Sequence, residues 1–165
     1  MDSVGVALMD LFAAIEQGAL GQTMRSSPLL YPLVNVAHIL GLALLVGPIL
    51  MLDLRLLGLS RRLPLRLLVQ HLLPWSIFGL VVMVASGFLL FVAEATAYAV
   101  NSVFQIKMAL VAAGIVNAIV FELIALRSWR DWEGSAVPPF CRLLAFLSLL
   151  IWPLVAVSGR LIAYF

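Results

Sequence analysis

Residues 29–57, LLYPLVNVAHILGLALLVGPILMLDLRLL, decide the fold of this protein. The stretch is almost entirely apolar, and its few polar side chains are spread thinly along it. A helix of about 20 apolar residues is long enough to cross the hydrocarbon core of a bilayer. The stretch therefore predicts a transmembrane helix.

Three more stretches of similar length and composition follow it, at 65–92, 101–126 and 139–165. They are far longer than the roughly 10-residue strands of membrane barrels, and they do not alternate between polar and apolar residues. The connections are short, so consecutive helices should be antiparallel neighbours. The sequence predicts an all-α integral membrane four-helix bundle, in which residues 1–165 form a single transmembrane domain.

The composition excludes several classes of function. The chain is 64% hydrophobic and only 11% charged, whereas a soluble domain carries about 25% charged residues. One cysteine and two histidines cannot supply a metal-ligand cluster. The sequence also lacks a nucleophile elbow, a phosphate-binding loop and a basic surface for nucleic acid. We therefore expect no catalytic residues of its own, no metal site and no nucleic-acid partner.

The segment before the first span has apolar residues at helical spacing. In residues 6–20, VALMDLFAAIEQGAL, only Asp10, Glu16 and Gln17 interrupt them. This pattern is typical of a short helix lying on the membrane surface. We predict such an interfacial helix over residues 5–20, with a disordered tail as the alternative.

The distribution of basic residues predicts the orientation. Cytoplasmic loops are enriched in Lys and Arg, and seven of the ten basic residues fall on one face. These seven are Arg55, Arg61, Arg62, Arg66, Arg127, Arg130 and Arg142. The opposite face has Arg25, Lys107 and Arg160. Both termini are therefore expected on the non-cytoplasmic side.

Ionisable and amide side chains within spans are candidates for function, because each is costly at membrane depth. One set lies near the predicted outer face and comprises Asn35, His38, Lys107 and Arg160. If these side chains converge, they form a net positive pocket for an anionic or quinone-like ligand. The alternative is structural: the two cations reach the headgroups, and the histidine bonds a neighbouring helix.

A second set lies near the predicted cytoplasmic face and comprises Asp53, Arg55, His71 and Glu122. A bond between His71 and Glu122, or between Asp53 and an arginine, would suit a proton relay or a ligand site. The alternative is a cluster of ion pairs that fixes helix ends at the interface. Asn117, in the middle of the third span, is expected to bond a neighbouring helix.

The two histidines do not suit a single haem. His38 and His71 lie near opposite faces, on the order of 20 Å apart in depth, whereas two axial ligands of one haem need the same depth. A haem b held by one histidine and a second ligand stays open. A quinone also stays open, and no motif signals either cofactor.

Four phrases carry a resemblance to a known family: residues 26–59, 71–91, 101–121 and 148–165. They resemble a family of small four-helix bacterial inner-membrane proteins without assigned function. Its more specific motifs, HxxG…DLRLLG, NxxFQxKM and GRxIAY, fall on His38, Asp53, Arg55, Asn101, Lys107, Gly159 and Arg160. That family often has histidine where this chain has Glu122. A looser, fold-level likeness to b-type cytochrome and copper-resistance membrane domains also exists.

These observations favour an accessory or anchoring subunit of a larger membrane complex, with a redox complex as one option and with a quinone- or lipid-binding pocket near the outer face. The resemblance places it in the bacterial inner membrane. Its partners would be membrane lipids and other subunits or copies of itself. One alternative is a small homo-oligomeric transporter or channel with a polar path through Asn117, although no inverted repeat is visible. An enzyme with His38 or His71 as general base has no support in the sequence.

Overall fold

The computed structural model describes residues 3–60, 62–125 and 137–164. Three arginines used to predict the orientation, Arg61, Arg127 and Arg130, lie outside these ranges. The described residues form helices and contain no strand, which confirms the all-α class. The helices are α1 (Ser3–Gln17), α2 (Ala19–Ser26), α3 (Leu30–Leu57), α4 (Leu65–Ala93), α5 (Ala95–Val100), α6 (Ser102–Ala125) and α7 (Pro139–Leu161), followed by a 3-10 turn at Ile162–Tyr164.

Four of these helices, α3, α4, α6 and α7, are long and apolar enough to cross a membrane. The helices α1 and α2 are bent by 57° at their junction, and counting this bent pair as one span would raise the number to five. The predicted class, a multi-pass membrane protein with a four-helix bundle and a short N-terminal helix, is confirmed.

The four spanning helices are packed in the order α4, α3, α7, α6, while α4 and α6 have no substantial contact with each other. The helices alternate in direction, so each end of the bundle collects two helix starts and two helix ends. We call the end where α3 and α6 begin the His38 end, and the opposite end the Asp53 end. The gap between α4 and α6 leaves room for a cavity that α3 and α7 also line.

Two glycines set the crossing of α3 and α4. A Cβ on Gly79 would lie 2.7 Å from the carbonyl carbon of Leu44, and a Cβ on Gly41 would lie 2.9 Å from a methyl group of Val82. Small residues allow this close approach of two helix backbones in a membrane. The crossing places His38 of α3 beside Ser86 of α4.

The middle of the bundle is filled with apolar side chains. Leu45, Trp152 and Val155 form a buried cluster between α3 and α7. The indole of Trp152 lies against Gly114 of α6, where a Cβ would be 3.2 Å from the ring. This cluster separates the polar groups of the His38 end from those of the Asp53 end.

The N-terminal segment is longer than the predicted helix over 5–20, and it docks on the His38 end. Glu16 Oε2 accepts hydrogen bonds from the Thr96 backbone N–H, at 2.9 Å, and from the Thr96 hydroxyl, at 2.6 Å. Arg25 donates to the Ala93 carbonyl at 2.6 Å, and Met24 is fully buried. The bonds from Thr96 lower the pKa of Glu16. These contacts replace the alternative of a disordered tail.

Candidate functional site

A cavity of about 520 Å³ opens at the His38 end, between α4 and α6. Its walls come from α3, α4, α6 and α7 and from the α4–α5 junction. Its polar lining residues are Tyr31, Asn35, His38, Glu94, Tyr98, Lys107 and Arg160. The structure therefore brings all four residues of the predicted outer set to one cavity.

The imidazole of His38 is held in one orientation by α4. Its Nδ1 lies 2.9 Å from Ser86 Oγ, and the Ser86 hydroxyl donates its only proton to the Val82 carbonyl at 2.5 Å. Ser86 Oγ must then accept, so Nδ1 carries the hydrogen and Nε2 keeps a lone pair. The backbone of Met83 is a second hydrogen-bond partner of the ring. Gly87 makes room for the ring, because a Cβ there would lie 3.1 Å from Cε1.

Lys107 brings an unpaired positive charge to the cavity. Its ammonium packs on Gly159 of α7, where a Cβ would lie 3.4 Å from Nζ. No hydrogen bond or ion pair to this ammonium is found among residues 3–60, 62–125 and 137–164. An ammonium inside an apolar bundle without an acceptor is unfavourable. The site therefore lacks an acceptor or an anion for this group.

Arg160 is the second cation of the cavity, at its edge. It donates to the Tyr164 hydroxyl at 3.1 Å, and its guanidinium lies 5.4 Å from the centre of that ring. Glu94 also lines the cavity. Yet no ion pair joins Glu94 to Lys107 or Arg160, all three being described residues. Glu94 is therefore close to the cavity without neutralising either cation directly.

An aromatic wall, formed by Phe91, Tyr98 and Phe104, closes one side of the cavity. The rings stack, with centroids 5.3 Å apart for Tyr98 and Phe104 and 5.7 Å for Phe91 and Phe104. Phe12 of α1 meets Phe91 edge-on at 5.8 Å. Burial and a bond with Tyr31 raise the pKa of Tyr98, which keeps its hydroxyl neutral. This wall could not be predicted from the sequence, because its residues come from three elements and no spacing relates them.

The predicted cytoplasmic set is not gathered in the same way. Asp53 is buried, and Arg55 donates from Nε to the Leu63 carbonyl at 2.8 Å. The side chains of His71 and Glu122 are exposed. No hydrogen bond or ion pair joins His71 to Glu122, both of which are described residues. The hypothetical His71–Glu122 relay is therefore not formed in this structure.

Asn117 bonds a neighbouring helix as predicted. Its Nδ2 donates to the Leu144 carbonyl of α7 at 3.2 Å, across the α6–α7 contact. Its Oδ1 is buried and has no hydrogen-bond partner. The amide is therefore only half satisfied.

Comparisons with known proteins assign a family but no activity. The model of DUF6644, described as a family of unknown function, matches residues 12–165, and the chain belongs to this family. The predicted membership of a family without assigned function is thereby confirmed. No curated protein and no solved structure matches the chain.

Proposed function

We propose that this chain, as a member of a family without known activity, is a ligand-binding accessory or anchoring subunit of a bacterial inner-membrane complex. The cavity at the His38 end would hold an amphiphile with an anionic or carbonyl-bearing head, such as an anionic lipid or a quinone. The observation that carries the proposal is Lys107, an ammonium that lines the cavity and has no acceptor among the described residues.

The lining supports an amphiphile better than a small polar solute. Lys107 and Arg160 supply cationic donors for an oxygen-rich head, and charge-assisted hydrogen bonds of this kind are the strong ones. The aromatic wall supplies an apolar surface for a ring or an acyl chain. The gap between α4 and α6 would let such a molecule enter sideways from the bilayer.

His38 adds a second polar contact of a defined kind. Since Nδ1 donates to Ser86, the free Nε2 can only accept a proton or bind a metal ion. A quinol hydroxyl could donate to this nitrogen, while Lys107 donates to an oxygen of the head. The cavity would then distinguish a quinol from a quinone by hydrogen bonding.

A second candidate function, a haem b protein with one histidine ligand, is favoured by this same orientation. Histidines that ligate metals usually donate their other ring N–H to a neighbouring group, as His38 does to Ser86. Lys107 and Arg160 could then face the propionates. The transporter alternative has less support, since the apolar cluster of Leu45, Trp152 and Val155 separates the two ends.

One purification tests the bound lipid or quinone, the haem candidate and the subunit role together. The protein is extracted with its surrounding lipid, without detergent, and the particles are analysed by mass spectrometry for lipids, quinones and partner subunits, and by visible spectroscopy. We expect a bound anionic lipid or quinone to be enriched over the bulk membrane. Lys107→Gln should reduce this enrichment about tenfold, since a hydrogen bond to a charged group contributes roughly 1.5–3 kcal/mol.

Arg142→Gln is the matched control, because it removes an exposed cation at the Asp53 end and should leave the enrichment unchanged. A Soret band that is lost in His38→Ala and retained in Lys107→Gln would establish the haem candidate instead. Equal lipid and quinone content in wild type and Lys107→Gln, with no Soret band, would refute a ligand in this cavity. Particles that contain only this chain would refute the subunit role.

A further inference from the structure

The Asp53 end has its own group of polar side chains, which meet on one turn of α7. The carboxyl group of Asp53, on α3, forms a hydrogen bond with Ser148. Asn117 of α6 donates to the Leu144 carbonyl on the same turn, at 3.2 Å. Leu144 and Ser148 are four residues apart, so they lie on the same face of the helix. This turn of α7 therefore places the carboxyl and the amide at nearly the same depth.

Both side chains keep an oxygen atom without a partner. Asp53 Oδ2 and Asn117 Oδ1 are buried, and neither has a hydrogen-bond partner among the described residues. Asp53 is only 7% exposed. While Asp53 is ionised, both oxygens are acceptors and cannot satisfy each other. Burial of an unpaired carboxylate is costly, so what this layer lacks is a donor or a cation.

Among the described residues, no ion pair from a cation to Asp53 is found. The side chains of Arg66 and His71 on α4 and of Arg142 on α7 are exposed. Cys141 of α7 is buried, and it packs with the apolar side chains of Leu56, Leu65 and Ala145. Ser148 is the one partner of Asp53 that the described residues supply.

We propose that Asp53, Ser148 and Asn117 bind a small monovalent cation, either a proton or an alkali ion such as Na⁺. All three offer hard oxygen atoms, which suit such cations. The single carboxylate neutralises one positive charge, which favours a monovalent occupant. Asp53 lies one helical turn before the end of α3 at Leu57, so the cation would enter from the Asp53 end.

The site is separate from the cavity around His38. The buried cluster of Leu45, Trp152 and Val155 lies between them. The proposal therefore does not depend on the function proposed above, and a cation could bind here whatever occupies the cavity.

Labelling with dicyclohexylcarbodiimide tests the proposal, because this apolar reagent reacts with carboxyl groups that hold a proton inside membranes. Wild type in liposomes is treated across a range of pH and of NaCl concentration, and the peptide that contains Asp53 is analysed by mass spectrometry. We expect an adduct on Asp53 that is absent in Asp53→Asn. Labelling that NaCl suppresses and choline chloride does not would identify an alkali ion. Labelling that falls with rising pH but ignores NaCl would identify a proton.

The ligand set is tested with Ser148→Ala and Asn117→Leu. Each variant should shift the half-maximal proton or NaCl concentration for labelling by about tenfold. Ser76→Ala is the matched control, because this buried hydroxyl donates to the Leu72 carbonyl of its own helix and should shift neither. The proposal is overturned if Asp53 forms no adduct at any pH. It is also overturned if labelling is independent of pH and NaCl, or if both ligand variants behave as wild type. These readouts use the wild type as reference, so a poorly folding Asp53→Asn would leave them valid.

Discussion

The two ends of the bundle differ in what their polar side chains lack. At the His38 end, donors are in excess: Lys107 has no acceptor among the described residues, and it lines an open cavity. At the Asp53 end, acceptors are in excess, since Asp53 and Asn117 each keep a buried oxygen without a partner. An excess of donors favours an anionic or oxygen-bearing ligand, and an excess of acceptors favours a cation.

The space around the polar side chains also differs between the two ends. The cavity lies where α4 and α6 do not meet, so a molecule with an apolar body has room beside the polar head. At the Asp53 end, the free oxygens of Asp53 and Asn117 are buried, so an occupant there would have to be small. The comparison therefore separates the two sets by the size of the ligand as well as by its charge.

The largest expected effect concerns the side of the membrane on which each end lies. A cysteine introduced at Leu59, which is exposed at the Asp53 end, should resist a membrane-impermeant maleimide added to intact cells. One introduced at Val100, exposed at the His38 end, should be labelled completely. The native Cys141 is buried, so it adds little background. Labelling of the first variant and protection of the second would reverse the predicted orientation.

A smaller effect, on stability, is expected from changes at the crossing of α3 and α4, two helices that extend to both ends. Gly79→Ala places a Cβ against the backbone of α3, and overpacking of this kind costs about 1–3 kcal/mol. Gly47→Ala is the control, because nothing lies within 4 Å of its added Cβ. We expect a lower unfolding midpoint in detergent for the first variant and an equal or higher one for the second. Equal midpoints would mean that the crossing does not hold the two ends together.

The smallest effect is a pH dependence confined to the His38 end. The hydrogen bonds from Thr96 lower the pKa of Glu16 below its usual value of 4.5. The attachment of α1 is therefore complete above pH 4.5 and is lost as the pH falls through the lowered pKa. Hydrogen exchange of residues 3–17, corrected for intrinsic rates, should accelerate several-fold on acidification to about pH 3.

Two variants control for this acid effect. Glu16→Ala should exchange fast at every pH, because it cannot accept the bonds from Thr96. Asp10→Ala removes an exposed acid of the same helix and should behave as wild type. If wild type and Glu16→Ala exchange equally at pH 6, Glu16 does not fasten this segment.

Much of the candidate site at the His38 end could be predicted, for a specific reason. His38 lies eight residues after the first residue of α3, and Lys107 lies five after that of α6. Both helices begin at the same end, so the depths of the two residues differ by less than one helical turn. Depth alone thus predicted one layer. The cavity itself and the aromatic wall of Phe91, Tyr98 and Phe104 depend on contacts between helices, which register does not supply.

Depth estimated from helix position was not sufficient to predict the contacts at the Asp53 end. Asp53, His71 and Glu122 have similar predicted depths, yet only Asp53 is buried, whereas the other two are exposed. Ser148, the partner of Asp53, was not singled out, because a serine in an apolar helix gives no signal of its own. The depth of a residue does not reveal which side of its helix faces a neighbour.

The sequence by itself determined the class of this protein, the four spanning helices and the depth of each polar group. These follow from length and hydropathy, because a bilayer has a fixed thickness and charges are costly within it. Only the tertiary structure decided which faces meet, and hence that, among the described residues, Lys107 has no acceptor and one oxygen of Asp53 has no donor. The reason is physical: lipid chains are as apolar as a packed interior, so these helices have no polar stripe to mark the side that faces outward.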